Sequence, residues 1–244
     1  VSDKREEIGG TLHVAKKPPF KGKFEWAIDY YKSMAKKLNI TMKLGKEVTA
    51  QEVLALKPYS ILVATGSNVI SIPLEGLDQV QTVQAHDVLA NDMQFANKKV
   101  VVIGGGITGL ETALYINRQG TNQVSVVDML PEWPVDMLDM RYQNEALLEV
   151  RHCNDQGVAL FYNNKVVKFA DGKLFIESTK DGEVKELPAD VIVLSVGVKP
   201  NDALWQELLA SGHPSVWKAG DAIATGKINK AVLHGSKFGD SLNR

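Results

Sequence analysis

The sequence predicts an α/β protein built on a parallel sheet, and three observations carry that reading. Apolar, β-branched runs alternate along the chain with stretches of helical period. Three of those runs, ending at Ala64, Ile103 and Val196, pass within two residues into glycine. Between the second and the third lie short strand-like runs separated by Asp-Gly pairs, the mark of hairpins. In open α/β sheets ligands gather outside the carboxyl ends of the strands, so a site is expected where those runs meet glycine.

Taken in order, residues 1–10 are charged, close on a glycine pair and read as a loop. Lys16-Lys17-Pro18-Pro19 cannot be helical and reads as extended. Residues 24–39 place Phe24, Ile28, Tyr31, Ala35 and Leu38 on one face with lysines opposite, which predicts an amphipathic helix. Residues 40–44 read as a short strand. Thr49-Ala50-Gln51-Glu52 has the form of a capping box and opens a short helix to Leu56, ended by Pro58. Residues 60–64 read as a buried strand, and 68–97 as a connection with a helical piece near 86–90. Beyond the central unit, 129–140 carries Pro131 and Pro134 and is expected to be irregular. A helix over 141–153 follows, then strands over 158–161, 165–169 and 174–178, with turns at Asp171-Gly172 and Asp181-Gly182. Residues 190–196 form another buried strand, 203–210 a helix, 216–221 a strand that breaks at Gly-Asp, and 230–242 a last helix.

The most informative stretch is 98–128. Lys98-Lys99-Val100-Val101-Val102-Ile103 reads as a buried parallel strand. Gly104-Gly105-Gly106-Ile107-Thr108-Gly109 follows, then a helical pattern closed by Gly120, then the strand Gln123-Val124-Ser125-Val126-Val127 ending on Asp128. A lone G-x-G-x-x-G is weak. A strand before it, a helix after it and an acid about 20 residues on make it a dinucleotide-binding fingerprint. Gly104 permits the tight turn, Gly106 lets the backbone approach a pyrophosphate, and Gly109 lets helix and strand pack closely. The helix start offers free N–H groups and partial positive charge, so Gly105, Ile107 and Thr108 are expected to line the phosphates as well. Asp128 can accept hydrogen bonds from a ribose 2′-hydroxyl. The alternative is a glycine-rich turn that binds nothing.

Composition narrows the function classes. The 244 residues hold one large or two modest domains. A net charge of −1 gives no field for nucleic acid or an anionic membrane surface. No apolar run approaches the ~20 residues of a spanning helix and no signal peptide opens the chain, so a cytoplasmic location is expected. The one cysteine, Cys153, rules out an internal disulfide, a Cys-x-x-C redox pair, a four-thiolate zinc site and an iron–sulfur cluster held by this chain alone. It sits on a helical pattern beside His152 and reads as a structural thiol. His13, His86, His152, His213 and His234 share no ligand spacing, so no metal is expected.

Several motifs occur in a fixed order: Gly9-Gly10 near an acid, Ala64-Thr65-Gly66, the fingerprint with Glu111, Gly197 with Pro200-Asn201, and Ala219-Gly220-Asp221. Together they resemble the two-dinucleotide-fold flavoprotein reductases. The stretch Glu7-Ile8-Gly9-Gly10-Thr11-Leu12-His13-Val14-Ala15-Lys16-Lys17-Pro18-Pro19 is similar to the C-terminal region of the old-yellow-enzyme-like NADH:flavin oxidoreductases. Those include 2,4-dienoyl-CoA reductase, 2-enoate reductase and trimethylamine dehydrogenase. The resemblance implies a Rossmann-like NAD(P)-binding domain over 78–199, inserted in an FAD-type dinucleotide-binding domain formed by 1–77 and 200–244. By the same resemblance Asp3 matches the acid that touches the adenosine ribose of FAD. Gly9 and Gly10 lie near that cofactor, and Ala64, Thr65 and Gly66 line it again. Gly220 and Asp221 match a late Gly-Asp at the ribityl and pyrophosphate region, although alone that pair is a simple turn. Glu111 matches an acid that helps orient the nicotinamide end, and is equally a helix acid favoured by the dipole.

The sequence departs from the family pattern in one respect. The first strand and first glycine-rich turn of the FAD fold are absent, as are the N-terminal barrel with FMN and the cysteines for the iron–sulfur cluster. The resemblance therefore implies a piece of a longer enzyme with an incomplete FAD site. Its expected role is an NAD(P)H-dependent flavin oxidoreductase module. NADH would bind across residues 104–109 and Asp128, and hydride would pass to a flavin. Reduction of an enoate or enoyl-type substrate would take place in the barrel, the module's partner domain. Asp128 favours NADH over NADPH, because a carboxylate repels a 2′-phosphate and no arginine follows until Arg141. The competing reading is a structural module that holds ADP or NAD without turnover.

Overall fold

A computed structural model describes residues 1–131 and 140–242, with the backbone alone at 140–143. The irregular stretch expected over 129–140 falls for the most part outside the described residues. The chain opens in bends and turns, then forms one helical turn, α1 (Leu12–Ala15), which has no side-chain cap and left no signal in the sequence. Residues 16–20 are turns rather than extended chain. α2 (Phe24–Lys37) forms where its period predicts. Its expected apolar face is only partly covered: Ile28 and Ala35 are buried, but Tyr31 and Leu38 are 41% and 60% exposed. Residues 40–44 form no strand. Lys43 alone bridges to Ser2, because a strand needs a partner along its length and only this short piece of chain lies beside it.

α3 (Ala50–Ala55) starts from the expected box. The Glu52 N–H donates to Thr49 Oγ1 at 3.3 Å and the Thr49 N–H donates to the Glu52 carboxylate at 3.0 Å. Thr49→Ala is expected to cost about 1 kcal/mol, read as a lower urea midpoint. An unchanged midpoint would mean that packing alone holds the helix.

The remaining elements are β1 (Ile61–Val63), β2 (Ser67–Val69), β3 (Gln81–Gln84), α4 (Ala85–Ala90), β4 (Lys99–Ile103), α5 (Ile107–Asn117), β5 (Gln123–Val127), α6 (Met140–Asp155), β6 (Ala159–Phe161), β7 (Asn164–Ala170), β8 (Lys173–Ser178), β9 (Val184–Pro188), β10 (Val191–Leu194), β11 (Val198–Pro200), α7 (Ala203–Ala210), β12 (Val216–Lys218) and α8 (Ile228–Ser241). β2, β3, β9 and β11 were not expected. They are short and partly or wholly exposed, and β3 reads Gln-Thr-Val-Gln, so none carries a burial signal.

The chain forms two compact units. The first comprises Val1–Ile8, Lys32–Ile70 and Gly197–Arg244. In it β1 and β12 pair in parallel, and β2 and β11 antiparallel. Ile61 and Val63 pack with Leu208 of α7 and with Val53 and Leu54 of α3.

The second unit comprises Gly9–Tyr31 and Ser71–Val196. It is built on a five-stranded parallel sheet, ordered β3-β10-β4-β5-β6. Counted from β4, the strands stand in the Rossmann order 3-2-1-4. Successive residues of β4 face opposite ways. Val100 and Val102 join a core with Val88 of α4, Leu110 and Leu114 of α5 and Val150 of α6. Val101 and Ile103 join another with Phe169, Leu174 and Ile176 of the antiparallel sheet β7-β8-β9. Cover on both faces is why β4 and β10 read as unbroken apolar runs. Asp171 and Gly172 take φ of 50° and 73°, the left-handed pair that a two-residue hairpin between β7 and β8 requires.

Candidate dinucleotide site

The glycine-rich turn lies between the carboxyl end of β4 and the start of α5, in the second unit. Its glycines differ in what they permit. Gly104 has φ of 109°, and a Cβ there would lie 2.3 Å from the Ser195 carbonyl oxygen. A Cβ on Gly109 would lie 1.9 Å from the Gly104 carbonyl oxygen. Gly105 is buried, with Tyr162 Cε1 2.9 Å from where its Cβ would be. Gly106 is exposed, has an ordinary φ of −69°, and a Cβ there would meet nothing within 4 Å. The fold therefore demands glycine at 104 and 109, while at 106 it leaves the space open.

Gly106 caps α5 without a side-chain hydrogen bond. The first intrahelical bond runs from the Leu110 N–H to the Gly106 carbonyl at 3.0 Å. The N–H groups of Ile107, Thr108 and Gly109 thus lie ahead of the helical ladder, where the helix carries its partial positive charge.

Asp128 ends β5 beside this turn. Its Oδ2 accepts from the Gly105 N–H at 2.6 Å and its Oδ1 from the Leu130 N–H at 2.8 Å. The Gly104 N–H donates to the Val127 carbonyl at 2.8 Å. Asp128 is thus a staple that holds the turn against β5. Each carboxylate oxygen keeps a lone pair for a further donor such as a ribose hydroxyl.

Glu111, one turn into α5, meets a partner that local sequence could not reveal. Lys21 Nζ lies 3.0 Å from Glu111 and 2.8 Å from Glu145 of α6. Glu111 and Lys21 are only 13% and 18% exposed. Burial opposes the charge on Lys21, but the hydrogen bonds it donates to both carboxylates, with their charge, outweigh it and hold its pKa above the usual lysine range. Burial also raises Glu111, with Glu149 and Glu145 adding to it, and Lys21 offsets this only in part. The ammonium lies between two carboxylates, of which Glu111 is the more buried. The Phe20 ring, next in sequence to Lys21, lies 4.8 Å from His152 and 4.5 Å from the Arg118 guanidinium, which fixes this loop on α5 and α6.

The other candidate residues fall as follows. In the first unit, Thr65 Oγ1 donates to the Asn201 carbonyl at 2.5 Å and the Asn201 N–H donates to the Gly66 carbonyl at 3.0 Å. Asp221 accepts from Ser67 Oγ at 3.3 Å and from the Gly226 N–H at 3.0 Å. Gly220, with φ of 61°, donates its N–H to His234 Nδ1 at 3.1 Å. Residues 65–67 and 220–221 are thereby brought together, with Ala64 exposed at the end of β1. Gly197, φ 100°, accepts the Ile70 N–H where β2 and β11 close. Asp3 Oδ1 accepts from the Arg5 N–H, two residues on, at 2.8 Å, and Asp3 is joined through its backbone to Lys43. Gly9 and Gly10 lie in the second unit, where a Cβ on Gly9 would crowd His13 and Ile28.

Residues 21–233 match the pyridine nucleotide-disulphide oxidoreductase family. The chain belongs to this family. An NADH oxidase of Thermoanaerobacter brockii is 30% identical over 241 residues, which is 96% of this chain and 35% of that protein. A bilirubin reductase of Mediterraneibacter gnavus is 33% identical over 199 residues, 82% of this chain and 30% of that protein. Among solved structures, a 2-naphthoyl-CoA reductase in complex with 2-naphthoyl-CoA superposes with a TM-score of 0.87 at 27% identity, covering 98% of this chain and 35% of that one. The chain spans about a third of the length of these relatives. Among the described residues no helix is long and apolar enough to cross a membrane, and no group of three His, Cys, Asp or Glu side chains is placed to hold a metal ion.

Proposed function

We propose that the chain is the NADH-binding module of a larger flavin-dependent reductase of the old-yellow-enzyme-like group, whose enoate or enoyl-type substrate is reduced elsewhere in the enzyme. The observation that carries this reading is the uncapped start of α5 behind an exposed Gly106, with Asp128 fixed at the end of β5. The turn suits a pyrophosphate: its donors are free of side-chain caps, and its one unobstructed glycine stands where the ligand backbone has to approach. Relatives named NADH oxidase and 2-naphthoyl-CoA reductase, each about three times the length of this chain, support a module within a longer enzyme.

When bound, nicotinamide and flavin supply the hydride chemistry, and the protein supplies binding and orientation. The Ile107, Thr108 and Gly109 N–H groups would hold the pyrophosphate, and Asp128 would hold the adenosine ribose. The Asp128 carboxylate also sets the preference for NADH, because a 2′-phosphate beside it meets like charge. Thr65, Gly66, Gly220 and Asp221 of the first unit would contribute to an FAD site, with Asp3, Ala64 and Gly197 at its margins. FMN and an iron–sulfur cluster belong to the partner barrel in this reading. Disulfide chemistry has no place in it. Cys153 is fully buried against the Leu110 carbonyl and its thiol is pushed up to about 12 by burial and by Glu149.

Titrating the chain with NADH and NADPH by calorimetry, with flavin absorbance followed before and after NADH, tests the proposal. Tighter NADH binding by at least about tenfold, roughly 1.4 kcal/mol, is expected, with bleaching of any bound flavin. Equal or tighter NADPH binding removes the role given to Asp128. Nucleotide binding with no flavin and no bleaching favours the non-catalytic module instead.

A further inference from the structure

We infer that His234 is a positioning residue for the Gly220–Ala222 turn, which it orients as a neutral hydrogen-bond acceptor. The inference rests on the reading of Gly220 and Asp221 as flavin contacts.

After β12 the backbone leaves the strand at Ala219 and turns sharply through Gly220, whose φ of 61° is in the left-handed region. α8 packs against this turn through two residues three apart on one helix face. One is Ala231, whose Cβ would lie 3.4 Å from a Cβ on Gly220. The other is half-buried His234, whose Nδ1 accepts the Gly220 N–H at 3.1 Å. The two ends of the turn are held by different means. The Asp221 carboxylate is fixed by Ser67 and by the Gly226 N–H, neither of which changes charge. The direction of the Gly220 amide is set by His234.

A ring nitrogen accepts a hydrogen bond only while it carries no proton. Nδ1 is the acceptor here, so the proton of neutral His234 sits on Nε2. Once the ring is doubly protonated, an N–H faces the Gly220 N–H, and that contact becomes repulsive. Charged residues on the two elements that meet at His234 are Asp221 on the turn and Lys230 and Lys237, one helical turn to either side on α8. The turn is therefore correctly set only with a neutral ring, and flavin held by it binds more weakly as the ring takes up a proton.

The test uses the full chain, with FAD as the probe, and the variants His234→Asn and His234→Ala. Asparagine places an uncharged acceptor near the position of Nδ1, and alanine removes the acceptor. FAD affinity is measured by flavin fluorescence, and the Gly220 amide is followed by nitrogen-15 NMR, from about pH 8 to about pH 5, the interval in which imidazoles change charge. In the unchanged protein the Gly220 amide shift is expected to follow protonation of His234, and FAD to weaken by up to about tenfold at the acid end. His234→Asn is expected to keep the affinity and lose the pH dependence. His234→Ala is expected to be weak at every pH. A Gly220 amide indifferent to the ring, or a His234→Ala protein with the affinity and pH profile of the original, overturns the proposal. If FAD does not bind at all, the flavin reading of the turn fails, and the Gly220 amide alone decides whether His234 orients it.

Discussion

Gly109→Ala and Gly106→Ala are expected to separate folding from binding. A methyl group at 109 would sit 1.9 Å from the Gly104 carbonyl oxygen, a backbone atom that cannot rotate away. Either α5 shifts off the turn or the turn opens. Overpacking of this kind costs up to about 3 kcal/mol, which in a domain of this size lowers the melting temperature by roughly 6–12 °C. NADH binding falls with it, because the donors of α5 move. At 106 the backbone is already in a conformation alanine adopts and the added methyl meets nothing. Loss of a glycine cap and gain from a stiffer unfolded chain nearly cancel, so stability is expected to stay within about 1 kcal/mol. Affinity for NADH nevertheless drops at least about tenfold if the pyrophosphate approaches there. Calorimetric titration beside thermal melts reads both. A Gly106→Ala protein that binds NADH unchanged would place the phosphates elsewhere, and a Gly109→Ala protein that melts like the original would contradict the close approach.

Lys21→Met is expected to destabilise the second unit in a manner set by pH. The substitution leaves Glu111 and Glu145 without the cation between them. Removing one partner of a buried ion pair costs about 3–5 kcal/mol, and partial exposure of this cluster brings the expectation down to about 2 kcal/mol at neutral pH. The sign of the pH effect follows from the direction of the shifts. Glu111 is raised in the folded protein, so the native state holds more protons than the unfolded chain between the two pKa values. Its contribution to stability is complete below the unfolded value and is lost as pH rises through the folded one. Lys21, also raised, contributes below the ordinary lysine value and is lost above it. In the variant Glu111 is raised further, so the deficit should shrink as the pH falls toward about 4.5, where the carboxyls are protonated. Urea midpoints at the two pH values measure this. A deficit that is the same at both, or that grows on acidification, would show that Lys21 acts through packing and not through charge.

The sequence revealed most where burial is two-sided. β4, β5 and β10 announce themselves because both faces of the sheet are covered and their buried positions are all apolar. α7 and the hairpin turn at Asp171-Gly172 were equally plain, since period and turn chemistry are local. β3, β9 and β11 were missed because edge pairing asks nothing of side chains. Residues 40–44 looked like a strand because composition says nothing about whether a partner lies alongside. Gly104, Gly106 and Gly109 stand out together in the sequence, but only the surrounding atoms separate those the fold needs from the one it leaves open. Lys21 was invisible as the partner of Glu111, because their pairing depends on where a distant loop returns. The backbone staple made by Asp128 was likewise hidden behind its more familiar reading as a ribose acceptor.

The position of β10 bears on how this protein comes into being. β10 lies between β3 and β4, yet the chain reaches Val191–Leu194 only after α4, α5, α6 and the three antiparallel strands have been made. During synthesis β4 therefore waits with one ladder edge open, and that edge is the apolar, β-branched run of residues 100–103. Such an edge is a template for any other extended segment, including the same run of a neighbouring nascent chain. Closing it requires a contact across a long loop, which is slow to form. Until β10 slots into the gap, a newly made chain therefore presents this edge to other extended segments.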